Sequence, residues 1–360
     1  MTRLPVTLLT GFLGSGKSTL LSQILRTPAF WDTAAVVNEF GEVGLDDYLV
    51  EHSSEQLIEM TTGCLCCTIR GDIRDTLTLL YQRRAKGEIP AFSRLVVETT
   101  GLADPAPVIH TLAVDPLMTE LFTLNGVVAT VDVVNGARTL DTQPECLKQV
   151  AVADRIVLTK TDLVEDPASK TDMRRLRERL RVINPAALIQ DRNDPKFSLE
   201  RLFDSGQYNP SDRPADVRAW LNAEAYDRTG DEHGHHHRHH AHDHGHDVNR
   251  HGTNIQAYSL VIEEPISTLS FTFALEFLIA NQGENLLRVK GIVHLQEQPG
   301  RPAVIHGVQH VFHEPVWLDD WPGDDRRTKL VFIARDIPKK TMEAVFRSWQ
   351  SVGDETVGAG

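Results

Sequence analysis

Residues 11–18 read Gly-Phe-Leu-Gly-Ser-Gly-Lys-Ser and match G-x-x-x-x-G-K-[ST]. The physical content of that pattern is a glycine-rich turn whose backbone N–H groups face inward onto phosphate oxygens at the start of a helix. Gly11, Gly14, Ser15, Gly16, Lys17, Ser18 and Thr19 are therefore the candidate phosphate-binding residues. Lys17 would reach the β- and γ-phosphates of a nucleotide, and the Ser18 hydroxyl would ligate Mg²⁺.

Two further stretches fit the same chemistry. Arg94-Leu95-Val96-Val97-Glu98-Thr99-Thr100-Gly101 is an apolar strand that ends in an acid and a glycine, and it resembles a Walker B region of the hhhExxG type. A carboxylate at the C-terminal end of such a strand can reach the Mg²⁺ shell or an attacking water. Glu98 and Lys17 are thus the candidate catalytic pair, and the Gly101 amide would approach the γ-phosphate. Thr159-Lys160-Thr161-Asp162 looks like the guanine motif [NT]-K-x-D. Asp162 would accept from the N1–H and exocyclic amine of guanine, and the aliphatic stem of Lys160 would cover the base. Thr159 stands where Asn is more common, which leaves open the contact Asn would make. GTP with Mg²⁺ is the expected ligand.

Sulfur chemistry is concentrated in one place. Cys64, Cys66 and Cys67 occupy one turn, whereas Cys146 is isolated. Thiolates are soft donors suited to Zn²⁺, with Co²⁺ as an alternative. In an extended segment Cys64 and Cys66 point one way and Cys67 the other, so one ion could take all three only if the segment bends. Glu39, Glu42 and His110 are candidates, by residue type alone, for a further ligand. An incomplete cage would suit a carrier, because an open position allows exchange.

These residues need a frame. Apolar runs at 6–9, 34–37, 56–60, 94–98, 126–132, 153–158 and 186–189 read as strands. Between them lie helices at 17–25, at 69–80 with Ile69, Ile73, Leu77 and Leu80 on one face, and at 173–181. Alternating strands and helices imply an α/β fold, a P-loop NTPase-type mostly parallel sheet with helices on both faces. That domain is expected over 1–225. The segment 226–254 carries ten histidines among Gly, Asp, Arg and Ala. With almost no apolar residues it is expected to be a disordered linker able to bind metal transiently. Residues 255–350 then read as a smaller C-terminal α+β domain, with two strands at 286–295 and 303–312 paired antiparallel around Gln298-Pro299-Gly300 and a closing helix at 339–349. A loose tail is expected from 351 to 360.

Bulk composition narrows the partners. The chain has 360 residues, 37 Lys+Arg against 50 Asp+Glu, and a net charge of −13, which argues against a general nucleic-acid backbone binder. No run approaches the ~18 apolar residues of a membrane span, and the N-terminus lacks the h-region and cleavage site of a signal peptide. A cytoplasmic protein is expected.

Taken together, the sequence resembles the CobW-like GTPases of cobalamin synthesis, nitrile hydratase activation and zinc homeostasis. The features that carry this are Thr10-Gly11-Phe12-Leu13-Gly14-Ser15-Gly16-Lys17-Ser18-Thr19, Asn38-Glu39-Phe40-Gly41, Gly63-Cys64-Leu65-Cys66-Cys67, Glu98 to Pro105, Thr159 to Asp162, the histidine tract, and Lys290-Gly291 with Gly307-Val308-Gln309. The resemblance implies a GTP-hydrolysing metallochaperone serving a client metalloprotein, with a C-terminal domain that engages the client or forms a homo-oligomer. Slow intrinsic hydrolysis is expected, since no arginine finger is identifiable by position. Within the family, cobalt handling for cobalamin synthesis or nitrile hydratase is the alternative. A regulatory GTPase with structural cysteines and a P-loop kinase are the readings from other classes.

Overall fold

The structure is a computed structural model that describes residues 3–38, 57–60, 69–203, Leu221, Tyr226 and 255–357. Glu39, Glu42, Cys64, Cys66, Cys67 and the histidine tract lie outside the described residues. The chain divides into two compact units, Met1–Glu178 with Ala187–Gln207, and Arg179–Ala186 with Tyr208–Gly360.

In the first unit the elements run β1 (Leu4–Gly11), α1 (Lys17–Arg26), β2 (Thr33–Asn38), β3 (Leu57–Met60), α2 (Ile69–Ala85), β4 (Arg94–Glu98), α3 (Ala106–Val114), α4 (Pro116–Leu121) and β5 (Phe122–Asp132). They continue with α5 (Gly136–Thr142), α6 (Pro144–Val152), β6 (Arg155–Thr159), α7 (Pro167–Ile183), β7 (Leu188–Asp191) and α8 (Glu200–Phe203). The strands form one seven-stranded sheet in the order β3-β2-β4-β1-β5-β6-β7. Every pairing in it is parallel. β1, β4 and β6 are buried almost without alternation, as strands covered on both faces must be. On one face Leu20, Leu21 and Ile24 of α1 pack with Leu9, Ala35, Val96, Val128 and Val157.

Register places the functional strand ends together. Glu98 is in register with Leu9 on one side and Val37 on the other. Asn38 pairs with Met60, Gly11 with Thr130, and Asp132 with Thr159. Gly11, Glu98, Asp132 and Thr159 therefore share the carboxyl edge of the sheet. Because β1 lies between β4 and β5, the chain moves out to one side and returns to the other, which makes this edge the switch point where ligands bind in open α/β sheets.

The second unit holds β8 (Ile255–Ile262), α9 (Thr268–Gln282), β9 (Leu286–Val293), β10 (Ala303–Val308), β11 (Val311–Phe312), β12 (Val316–Trp317), β13 (Thr328–Arg335) and α10 (Lys339–Val357). Its antiparallel sheet has the order β11-β10-β9-β13-β8, with β12 paired to β10. Phe271, Ala274 and Leu278 of α9 and Met342 and Phe346 of α10 pack on Leu286, Val289, Leu330 and Phe332. Two expectations need correction. The strand expected over 303–312 is broken, because Gln309 takes φ 54° and turns the chain so that Val308 pairs with Val311. The closing helix does not end near 349 but continues to Val357, since a lone glycine such as Gly353 costs a helix only about 1 kcal/mol. Among the described residues no helix is long and apolar enough to cross a membrane.

Candidate nucleotide-binding site

The phosphate loop leaves β1 at Gly11, whose φ of 140° and crowded surroundings both require the missing side chain. A Cβ there would lie 2.5 Å from the Thr130 carbonyl oxygen and 2.8 Å from Ser15 Oγ. The exposed Gly14 forms the outer part of the loop, and Gly16 with φ 93° precedes the first turn of α1, which begins Lys17, Ser18, Thr19. Ser15 Oγ and Thr130 Oγ1 are hydrogen-bonded at 2.6 Å in the interior. The Lys17 ammonium donates to the carbonyls of Gly11 at 2.9 Å and Phe12 at 3.2 Å, which holds its charge against the loop that would receive phosphates.

Glu98 is buried, with 3% of its surface exposed, and its Oε1 accepts a hydrogen bond from Ser18 Oγ at 2.8 Å. The candidate Mg²⁺ ligand and the candidate catalytic carboxylate are thus in contact. Two hard oxygens converging beside a glycine cradle fit a small divalent cation bound together with phosphates. Next in the chain, the Thr99 N–H donates to the Leu9 carbonyl at 2.9 Å and its hydroxyl to Thr10 Oγ1 at 2.9 Å. Gly101 packs on the phosphate loop so closely that a Cβ would come within 2.5 Å of the Leu13 nitrogen.

On the other side of β1, Thr159 is buried and its hydroxyl donates to the Ser15 carbonyl at 2.7 Å. Thr therefore ties the end of β6 to the glycine-rich loop at the place where Asn is usual in the [NT]-K-x-D pattern. Lys160 follows with φ 59°, and its ammonium lies 2.7 Å from Asp132 Oδ2. Burial opposes ionisation of Asp132, but hydrogen bonds from Lys160, Asn135 and the Val134 N–H outweigh it and hold the carboxyl below its usual range. Asp162 is exposed and accepts from Asn193 Nδ2 at 3.0 Å, while Thr161 Oγ1 bonds Asp191 Oδ1 at 2.6 Å.

Asp132, Thr130, Gln149 and Asn193 escaped the sequence reading. Only Asp132 carried a usable signal, an acid ending an apolar strand as Glu98 does. His110 is half-buried on α3. Among the described residues no three His, Cys, Asp or Glu side chains gather as a metal site, and the ligands expected alongside His110 lie outside the described residues.

Residues 5–190 match the family described as "CobW/HypB/UreG, nucleotide-binding domain", and residues 255–350 match "Cobalamin synthesis protein cobW C-terminal domain". The chain belongs to the CobW/HypB/UreG family. Among curated members it is similar to the zinc chaperone YjiA of Escherichia coli (strain K12), with 31% identity over 346 residues, 96% of this chain and 98% of that protein. It is 28% identical over 367 residues to the zinc chaperone CobW of Pseudomonas aeruginosa, covering 97% of this chain and 92% of that one. Among solved structures the fold is similar to the Zn(II)-bound YjiA GTPase from E. coli, with a TM-score of 0.68 and 27% identity over 97% of this chain and 99% of that one.

Proposed function

We propose that this protein is a GTP-hydrolysing metallochaperone of the cytoplasm that carries Zn²⁺ on Cys64, Cys66 and Cys67 to a client metalloprotein. The observation that carries the hydrolytic part is the 2.8 Å hydrogen bond from Ser18 to the buried Glu98, which joins the start of the phosphate-binding helix to the end of β4. Ser18 would hold Mg²⁺ with Glu98 beside it, and the ion, when bound, neutralises charge on the β- and γ-phosphates. Lys17 exchanges its two loop carbonyls for phosphate oxygens. Glu98 orients water for attack from a site that bulk solvent does not reach. Asp162 reads the guanine edge while Lys160, anchored by Asp132, covers its face.

The zinc part draws support from family relatives named as zinc chaperones and from topology. β3 ends at Met60, and its Glu59 is in register with Val37, itself in register with Glu98. That separation is two strand spacings, about 10 Å. Cys64 follows Met60 by four residues, which limits its backbone to within ~14 Å of that strand end. The proposal includes that a cation on the cysteines and the γ-phosphate bias one another through the segment joining β3 to α2. Zinc affinity measured with GDP and with a non-hydrolysable GTP analogue tests the coupling. Different affinities are expected, and equal ones would leave two independent sites.

A further inference from the structure

The loop that follows Glu98 is gripped from outside the phosphate motifs. Gln149 lies on α6 and is 1% exposed. Its Nε2 donates to the Gly101 carbonyl at 3.1 Å and to the Ala103 carbonyl at 3.0 Å. Both N–H bonds of the carboxamide are thereby spent on one loop. The amide orientation is chemically determined, because the reverse would set an oxygen against two carbonyls. Its Oε1 is also buried and accepts from no donor among the described residues. The side chain is thus placed for what its nitrogen does. The preceding residue adds a second hold, for Lys148 Nζ lies 2.7 Å from Asp104 Oδ2.

A trans peptide turns its C=O and the following N–H in opposite directions. Fixing the Gly101 oxygen toward α6 therefore fixes the Leu102 N–H away from it. Gly101 itself rests on the Leu13 backbone of the phosphate loop. The plane that Gln149 sets adjoins the one carrying the Gly101 N–H, the amide expected to approach a γ-phosphate.

We propose that Gln149 is a positioning residue for GTP hydrolysis, holding the 101–103 backbone, whose Ala103 N–H is tied back to the Thr100 carbonyl at 3.1 Å, so that the Gly101 and Leu102 amides meet the γ-phosphate in one orientation. This rests on the GTPase reading above. It predicts that the β-phosphate and base contacts are indifferent to Gln149, whereas everything that depends on the γ-phosphate is not.

The test uses the full chain with Gln149→Met, which keeps volume and removes both donors, and Gln149→Glu. Fluorescent GDP, a non-hydrolysable GTP analogue and GTP turnover are measured for each. For Gln149→Met, kcat should fall at least tenfold and the preference for the analogue over GDP should shrink several-fold, with GDP affinity within twofold of the parent. Gln149→Glu should be equally impaired at pH 8 and recover relative to the parent toward pH 5.5, because a buried carboxyl that takes up a proton regains one donor. An unchanged kcat, or a loss of GDP affinity equal to the loss of turnover, would overturn the proposal in favour of a purely structural side chain. A parent protein that binds guanine nucleotide but never hydrolyses GTP would instead overturn the GTPase reading, and the positioning role with it.

Discussion

The hydroxyl of Thr159 donates to the carbonyl of Ser15 across 2.7 Å, joining the end of β6 to the middle of the phosphate loop. Through this bond the proposed base-reading and phosphate-binding segments are tied together. Thr159→Val keeps the shape and strands a buried carbonyl, at about 1–3 kcal/mol. Stability in urea should fall by that amount, and GDP and GTP should both bind less tightly. Titration with a fluorescent nucleotide would count against the link if affinity were unchanged.

Ser18 and Glu98 form a different kind of pair. Ser18→Ala should raise the Mg²⁺ concentration needed for half-maximal turnover at least tenfold, while GDP binding without Mg²⁺ changes little. Glu98→Gln should retain nucleotide affinity and lose turnover by about 10²–10⁴-fold, the usual worth of a positioned proton acceptor. Turnover that is insensitive to either change would remove these residues from the chemistry.

The pH dependence follows from Asp132. Its folded-state pKa is depressed, because the hydrogen bonds from Lys160, Asn135 and Val134 outweigh burial. Such a group adds stability that is present above the unfolded value of about 4 and is lost as pH falls through the lower folded value. Asp132→Asn should therefore be less stable at pH 6 and show a shallower decline below pH 4. Urea melts at a series of pH values would refute this if the two curves ran parallel.

For the sulfur site, replacing Cys64, Cys66 and Cys67 together by Ser should lower bound zinc, measured by elemental analysis, without altering GDP affinity. Unchanged zinc content would leave the histidine tract as the metal-binding part.

In the second unit Phe332 is fully buried, with its ring 5.8 Å from that of Tyr258 and 6.3 Å from that of Phe346. Phe332→Ala should cost about 3–5 kcal/mol in unfolding free energy. A loss under 1 kcal/mol would mean that the surrounding side chains close the cavity.

What the sequence by itself determined is local. A phosphate loop is eight consecutive residues whose glycines and helix start follow from backbone geometry, so Gly11 to Ser18 could be read without a fold. The apolar runs of β1, β4 and β6 likewise announced strands, and their alternation with helices announced a parallel sheet covered on both faces. The tail was misread for the opposite reason, since a single glycine is only a weak helix breaker. What tertiary structure decided is which strand lies beside which. Hydrophobic periodicity says that a face is buried but does not name its neighbour. The order β3-β2-β4-β1-β5-β6-β7 put Thr130 against Ser15 across 115 residues, and the packing of α6 on that sheet put Gln149 against Gly101 across 48. Contacts at such separations depend on the whole arrangement closing at once, and no short window of sequence contains them.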